Sequence, residues 1–128
     1  MNYSLQFSEG VLQVTTSGKA QLEGFLKMIE SILNHPAWHS NSKLLLDHTA
    51  LDLATLRFGD VLEITDYCAK HKNLIGSAKI AILVSDDLGL GMNRMWAGLV
   101  DGKLSSTGDI FKSRKQAWEW LTDPTNDC

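Results

Sequence analysis

The chain opens with a two-residue period. Tyr3, Leu5 and Phe7 share one side of an extended segment and Ser4 and Gln6 the other, the pattern of a half-buried strand. "SEG" interrupts it, and "VLQVTTS" reads as a second strand running back, so the turn at Gly10 predicts a β-hairpin. The period then changes. Leu22, Phe25, Leu26, Ile29, Ile32 and Leu33 fall on one helical stripe, with Gln21, Glu23, Lys27 and Glu30 mostly off it. Asn34 and "HPAW" end this helix, because Pro36 disfavours helical geometry in the residue before it.

Two later segments, "KLLLDH" and "AKIAILVSDD", are apolar on both alternating faces and end in acidic or polar residues. Such runs suit strands covered on both sides, the habit of a parallel sheet. Between them, "LRFGDVLEITDYCAKHKN" carries a helical stripe of Phe58, Val61, Leu62, Thr65, Cys68 and Ala69. Its start is open between a cap at Thr55 and one at Asp60, the latter with Glu63 as a capping box. Leu88, Met92, Met95, Trp96 and Leu99 are spaced for a further helix. "DIFKS" predicts a short strand, and "RKQAWEWL" a last helix with Ser113 as its cap and Gln116 three residues on. The order is β-β-α-β-α-β-α-β-α. It predicts a single α/β domain over residues 1–128: a mixed, mostly parallel sheet flanked by helices, with the first strand antiparallel and right-handed crossovers.

Composition narrows the partners. The 12 basic and 15 acidic residues leave a net charge of -3 with no Lys/Arg-rich run, which argues against nucleic acid or an anionic membrane surface. No apolar run approaches the ~20 residues of a spanning helix, and "MNYSLQFSEG" lacks the basic start and apolar core of a signal peptide. A cytoplasmic location is expected. Cys68 and Cys128 have no CxxC partner, so neither a disulfide framework nor a zinc site is expected. His35 and His39 in "HPAWH" lack a third ligand; Trp38 between them reads as a hydrophobic plug. No metal and no cofactor are expected.

"GVLQVTTSGKA", "KLLLDHTALDL", "AKIAILVSDDLGLGMNRMW" and "DIFKSRKQAWEWL" together resemble the STAS-like (SpoIIAA-like) domain, and more closely a family of small bacterial proteins grouped with STAS and CRAL-TRIO domains. The resemblance spans nearly the whole chain and implies the fold. The sporulation-type antagonists of that fold are switched on a serine in an Asp-Ser turn after the third strand. Here Asp47 matches the acidic strand end, but "DHTALDLAT" replaces the turn and offers only Thr49 and Thr55, so such a switch is not expected. CRAL-TRIO domains hold lipids in a large apolar cavity; so many core leucines in 128 residues predict no room for one.

In open α/β sheets, ligands bind beyond the carboxyl ends of the strands. Two such ends give the candidate rim: Asp47, His48 and Asp52 from one, Ser85, Asp86 and Arg94 from the other. "GLGMNR" matches neither the dinucleotide fingerprint nor the Walker loop. It reads as a helix start with Asp86 or Asp87 capping; the rival reading has Arg94 facing the rim, paired with Asp47 or Asp86 or reaching an anion. Asp47 and His48 are adjacent on a strand and point to opposite faces, which argues against a catalytic dyad. Ile64 and Tyr67 lie off the helical stripe, and Trp118 and Trp120 cannot both enter the core from one helix. These four are the candidate interface of an expected homodimer. The leading expectation is a non-enzymatic binding or regulatory module acting through protein–protein contacts. The second is a binder of a small polar or anionic ligand, such as a lipid head group, at the rim. The third is an enzyme using Asp47 or His48.

Overall fold

The computed structural model describes residues 1–124; Cys128 lies outside them. Strand β1 (Asn2–Ser8) pairs antiparallel with β2 (Val11–Lys19). Their two-residue connection places Glu9 and Gly10 at φ 54° and 79°, the left-handed geometry that a tight hairpin turn requires. Helix α1 (Leu22–Leu33) leads to β3 (Lys43–Asp52), and a 3-10 turn (Leu53–Thr55) leads to helix α2 (Phe58–Lys70). A short helix α3 (Lys72–Ile75), β4 (Lys79–Leu83), α4 (Asp87–Val100), β5 (Thr107–Phe111) and α5 (Arg114–Thr122) complete the chain. The sheet order is β1-β2-β3-β4-β5, with every pair after the first parallel.

That order explains the layers. The parallel strands succeed one another in one direction across the sheet, so right-handed crossovers must all lie on the same face. Helices α1, α2 and α4 therefore share one face, where Leu12, Val14, Leu44, Ile80 and Ile82 meet Phe25, Met28, Ile32, Ile64 and Cys68. Helix α5 follows the last strand and is the one helix among the described residues on the other face, packing Ala117 and Leu121 on Val11, Leu45 and Ala81.

Sequence and structure part at three places. The buried stripe of α2 is Val61, Ile64, Thr65 and Cys68, while Phe58 and Leu62 are exposed, at 58% and 39%. Both stripes have helical spacing and share Val61, Thr65 and Cys68; burial on the sheet selects the one carrying Ile64. The cap of α2 is neither Thr55 nor Asp60: Arg57 occupies the cap position, and the Asp60 carboxylate accepts its backbone N–H at 3.0 Å. The third departure is Lys79, buried in β4 on the α5 face. Its ammonium donates to the Trp120 carbonyl at 2.6 Å and lies 4.7 Å from the centre of the Trp120 ring. A cation at the last carbonyls of α5 is favoured by the helix dipole.

Candidate functional site

The three-helix face holds a partly open apolar cavity of about 110 Å³. Its floor is Leu44, Leu46, His48, Ile80 and Ile82 of the sheet. Its walls come from α1 (Phe25, Met28, Ile29, Ile32, Leu33), α2 (Val61, Ile64, Cys68) and α4 (Met92, Asn93, Trp96), with Trp38 and Leu104 from loops. Core leucines do not fill this face, although a space of about 110 Å³ is far from the large lipid cavity that the sequence argued against. They line it: Leu44 and Leu46 supply its floor, whereas Leu45 points to the opposite face.

The wall contributed by α4 packs mainly through partly buried Leu90, Met92 and Trp96. Gly89 is the one fully buried residue of that helix. A Cβ there would come within 3.1 Å of the Val84 side chain, so this glycine permits the close entry of the helix beside β4. Gly91 and Gly98 have open space around them and answer to no such constraint. An interior glycine costs a helix about 1 kcal/mol relative to alanine. "GLGMNR" is thus a helix start, capped by Asp86, whose carboxylate accepts the Gly89 N–H at 2.8 Å.

One polar atom in the cavity wall stands out. The Trp96 indole Nε1–H is buried and has no hydrogen-bond partner. Leaving such a donor unpaired costs on the order of 1–3 kcal/mol. By contrast, Trp38 of the same wall donates its Nε1–H to the Leu74 carbonyl at 2.8 Å.

Asn93 of the same wall donates its amide to the Gly89 carbonyl at 2.8 Å, and a β-bulge sets the environment of His48, the remaining polar wall residue. Between Thr15↔Asp47 and Ser17↔Ala50, β2 advances by two residues and β3 by three. His48 and Thr49 together therefore oppose Thr16. The Thr16 hydroxyl donates to the Asp47 carbonyl at 3.0 Å and lies 2.7 Å from His48 Nδ1. Its single proton goes to the carbonyl, so His48 must donate from Nδ1. Nε2 then keeps its lone pair on the ring edge away from Thr16. Burial pushes the His48 pKa down to about 4, against a smaller upward pull from Asp47. Burial likewise raises the Cys68 thiol to about 11. The cavity wall is uncharged at neutral pH.

The rim residues separate into three places. His48, Asp52, Ser85 and Asp86 line a small depression of about 40 Å³ at the carboxyl ends of β3 and β4. Asp47 is on the α5 face, where its carboxylate holds the Arg114 Nη1 at 3.0 Å and accepts the Thr49 hydroxyl at 2.6 Å. Arg94 is exposed on α4 and makes no ion pair among the described residues. The expected pairing of Arg94 with Asp47 or Asp86 is therefore corrected: Arg114 occupies Asp47 and the helix terminus occupies Asp86. Asp52 accepts the Ala54 N–H at 3.0 Å as cap of the 3-10 turn. Two carboxylates and no cation line the rim depression.

The interface candidates also separate. Ile64 is 6% exposed and lines the cavity, so it offers nothing to a partner. Tyr67 leans on His71, with ring centres 4.5 Å apart. Trp118 and Trp120 are both partly buried on the α5 face, Trp120 against Phe111 at 5.6 Å. Among the described residues no three metal-ligating side chains converge, and no helix is long and apolar enough to cross a membrane.

The bulge at His48, the orphaned Trp96 donor and the cavity had no local sequence signal. Each depends on residues brought together from across the chain; Thr16 and His48 are 32 positions apart.

No family model matches the chain, and no curated protein matches it. Among solved structures it is similar to an uncharacterized protein of the DUF3478 family with a SpoIIAA-like fold from Shewanella loihica PV-4. The TM-score is 0.60 at 19% identity, over 94% of this chain and 92% of that one. At that identity the likeness is one of architecture. Together with the five-stranded sheet it establishes that this chain has a SpoIIAA-like α/β fold.

Proposed function

We propose that this chain is a non-enzymatic binding module whose ligand is a small apolar molecule held between the sheet and helices α1, α2 and α4. The observation that carries this reading is an unfilled space of about 110 Å³ lined almost wholly by apolar side chains between the sheet and three helices. A core evolved only for packing fills its voids and pairs its buried donors; this one does neither. The volume is of the order of an engineered cavity of about 150 Å³ that binds benzene.

The cavity is favoured over the partner-contact reading because Ile64 belongs to its wall, and Trp118 and Trp120 cover the sheet's second face. It is favoured over an anion at the rim because the depression there presents carboxylates and Arg94 is elsewhere. It is favoured over catalysis because Asp47 and His48 lie on opposite faces and the Cys68 thiol is held protonated.

Thermal melts with added benzene test the reading. Binding to the native state alone raises the melting temperature by mass action. Wild type should gain stability, and Cys68→Leu, which puts a larger side chain into the cavity, should gain none. No shift in wild type, or an equal shift in both proteins, would count decisively against the cavity as a binding site.

A further inference from the structure

The two edges of the sheet are defended differently. Strand β5 is five residues long, carries Asp109 at its centre, and spends the Ile110 N–H on the Asp109 carboxylate at 2.8 Å. Brevity and charge of that kind keep an open edge from pairing with another chain. Strand β1 has neither. It is seven residues long, pairs with β2 without a bulge, and contains no charged residue, no proline and no glycine. The hairpin fixes which of its groups are free. A two-residue turn with both residues at positive φ makes the residues beside it, Ser8 and Val11, a hydrogen-bonded pair. Antiparallel pairing alternates, so Asn2, Ser4, Gln6 and Ser8 bond to β2, and Tyr3, Leu5 and Phe7 turn their N–H and C=O groups to the free edge. Among the described residues no other backbone pairs with those groups.

A second copy of the same strand fits this edge. Antiparallel pairing about a twofold axis at Leu5 sets Leu5 opposite its own copy, and Tyr3 and Ser4 opposite Phe7 and Gln6 of the second copy. That register pairs every outward N–H and C=O of the three residues, and a shift to either side leaves some unmade. It also sorts the side chains. Phe7, half exposed in the single chain, meets the Tyr3 ring, which a 3.0 Å hydrogen bond to Ser31 of α1 holds on the three-helix face. Serine and glutamine meet on the opposite face, and no like charges oppose each other along the pair. We propose that this chain forms a homodimer by antiparallel pairing of two β1 strands, which joins two five-stranded sheets into one. No residue of β1 lines the cavity, so this interface and the cavity reading stand or fall separately.

Sedimentation equilibrium of the full chain over a concentration series tests the dimer, with two double variants. Ser4→Lys with Gln6→Lys sets lysine against lysine across the pair. Ser4→Lys with Gln6→Glu sets lysine against glutamate instead. Both positions are exposed, so neither variant disturbs the core. Wild type should pass from monomer to dimer between roughly 1 and 500 µM, the range expected of a small interface made mostly by backbone. The double-lysine variant should dimerise at least about tenfold more weakly, and the lysine–glutamate variant within about threefold of wild type. Amide hydrogen exchange in wild type gives a readout free of any variant. The Tyr3, Leu5 and Phe7 amides should gain protection as concentration rises, while those of Ser4, Gln6 and Ser8 stay protected throughout. A wild type that remains monomeric, equal association of the two variants, or a dimer that leaves the Tyr3, Leu5 and Phe7 amides unprotected overturns the proposal. Loss of the dimer in both folded variants also overturns it, because a shifted register sets like charges together in each.

Discussion

The two faces of the sheet are built from the same strands and packed to different standards. Leu44 and Leu45 are neighbours on β3, yet one borders a cavity and the other is wholly enclosed by Val11, Ala81, Ala117 and Leu121. The α5 face is small, close-packed and laced by polar ties: Arg114 to Asp47 and Gln13, Lys79 to the end of α5. The three-helix face is larger, carries a void and leaves a buried donor unpaired. One face satisfies the ordinary rules of a core, and the other departs from them where a ligand would sit. Departures of that kind are where a sequence is shaped by something besides stability.

The largest expected effect separates these faces directly. Leu→Ala substitutions in cores cost roughly 2–5 kcal/mol, more where the site cannot collapse. Leu45→Ala should lie toward the upper end of that range, because every side of Leu45 is packed. Leu44→Ala should cost less, because part of its surface already faces empty space and has fewer contacts to lose. Urea unfolding of both variants measures the difference. Equal losses, or a larger loss for Leu44→Ala, would show the two faces to be equally dense.

The second effect sharpens the contrast through pH. His48 is neutral in the fold, with a pKa lowered from 6.5 to about 4, whereas an unfolded histidine titrates near its ordinary value. Between those values the unfolded state binds the extra proton, so stability rises with pH and is lost as pH falls from about 6.5 toward 4. A shift of that size corresponds to on the order of 3 kcal/mol. His48→Asn places an amide donor toward Thr16 and removes the titration. The difference in unfolding free energy between wild type and this variant should therefore change by about that amount across the window, and stay flat above it. A difference independent of pH would mean that the imidazole is solvated and the cavity face open to water.

The same contrast governs what the sequence disclosed. Element order, strand direction and the single antiparallel edge were legible, because apolar periodicity reports which side of a strand or helix is covered. The phase of α2 was ambiguous because Val61, Thr65 and Cys68 belong to both stripes; the exposure of Phe58 and Leu62 is decided by what the sheet offers, which no local window contains. The bulge is subtler. Leu45 lies on the α5 face, and strict alternation would place Leu51 beside it, yet Leu51 joins the three-helix core because His48 and Thr49 together oppose Thr16. A register shift between two strands leaves little trace in either strand alone. Asp47 was singled out as a group at a strand end, but β3 runs on to Asp52, and the partner of Asp47 came from α5, 67 residues away, instead of from the nearer Arg94.

The smallest effect concerns these two arginines. Arg114 holds a carboxylate whose side chain is only 16% exposed, and it also donates to the Gln13 carbonyl oxygen of the side-chain amide at 2.6 Å. Its own side chain is half in solvent, so the pair is screened, and Arg114→Ala should cost about 1 kcal/mol or less. That cost should shrink further in high salt, as expected for a pair within reach of mobile ions. Arg94→Ala removes an exposed side chain with no ionic partner among the described residues and should change stability by less than about half a kcal/mol. Chemical denaturation at low and high salt distinguishes the two. A salt-sensitive loss at Arg94 would place an unrecognised carboxylate beside α4 and return the anion reading to the rim. A loss confined to Arg114 assigns the charge pairing at this end of the sheet to the packed face and leaves the cavity face to neutral chemistry.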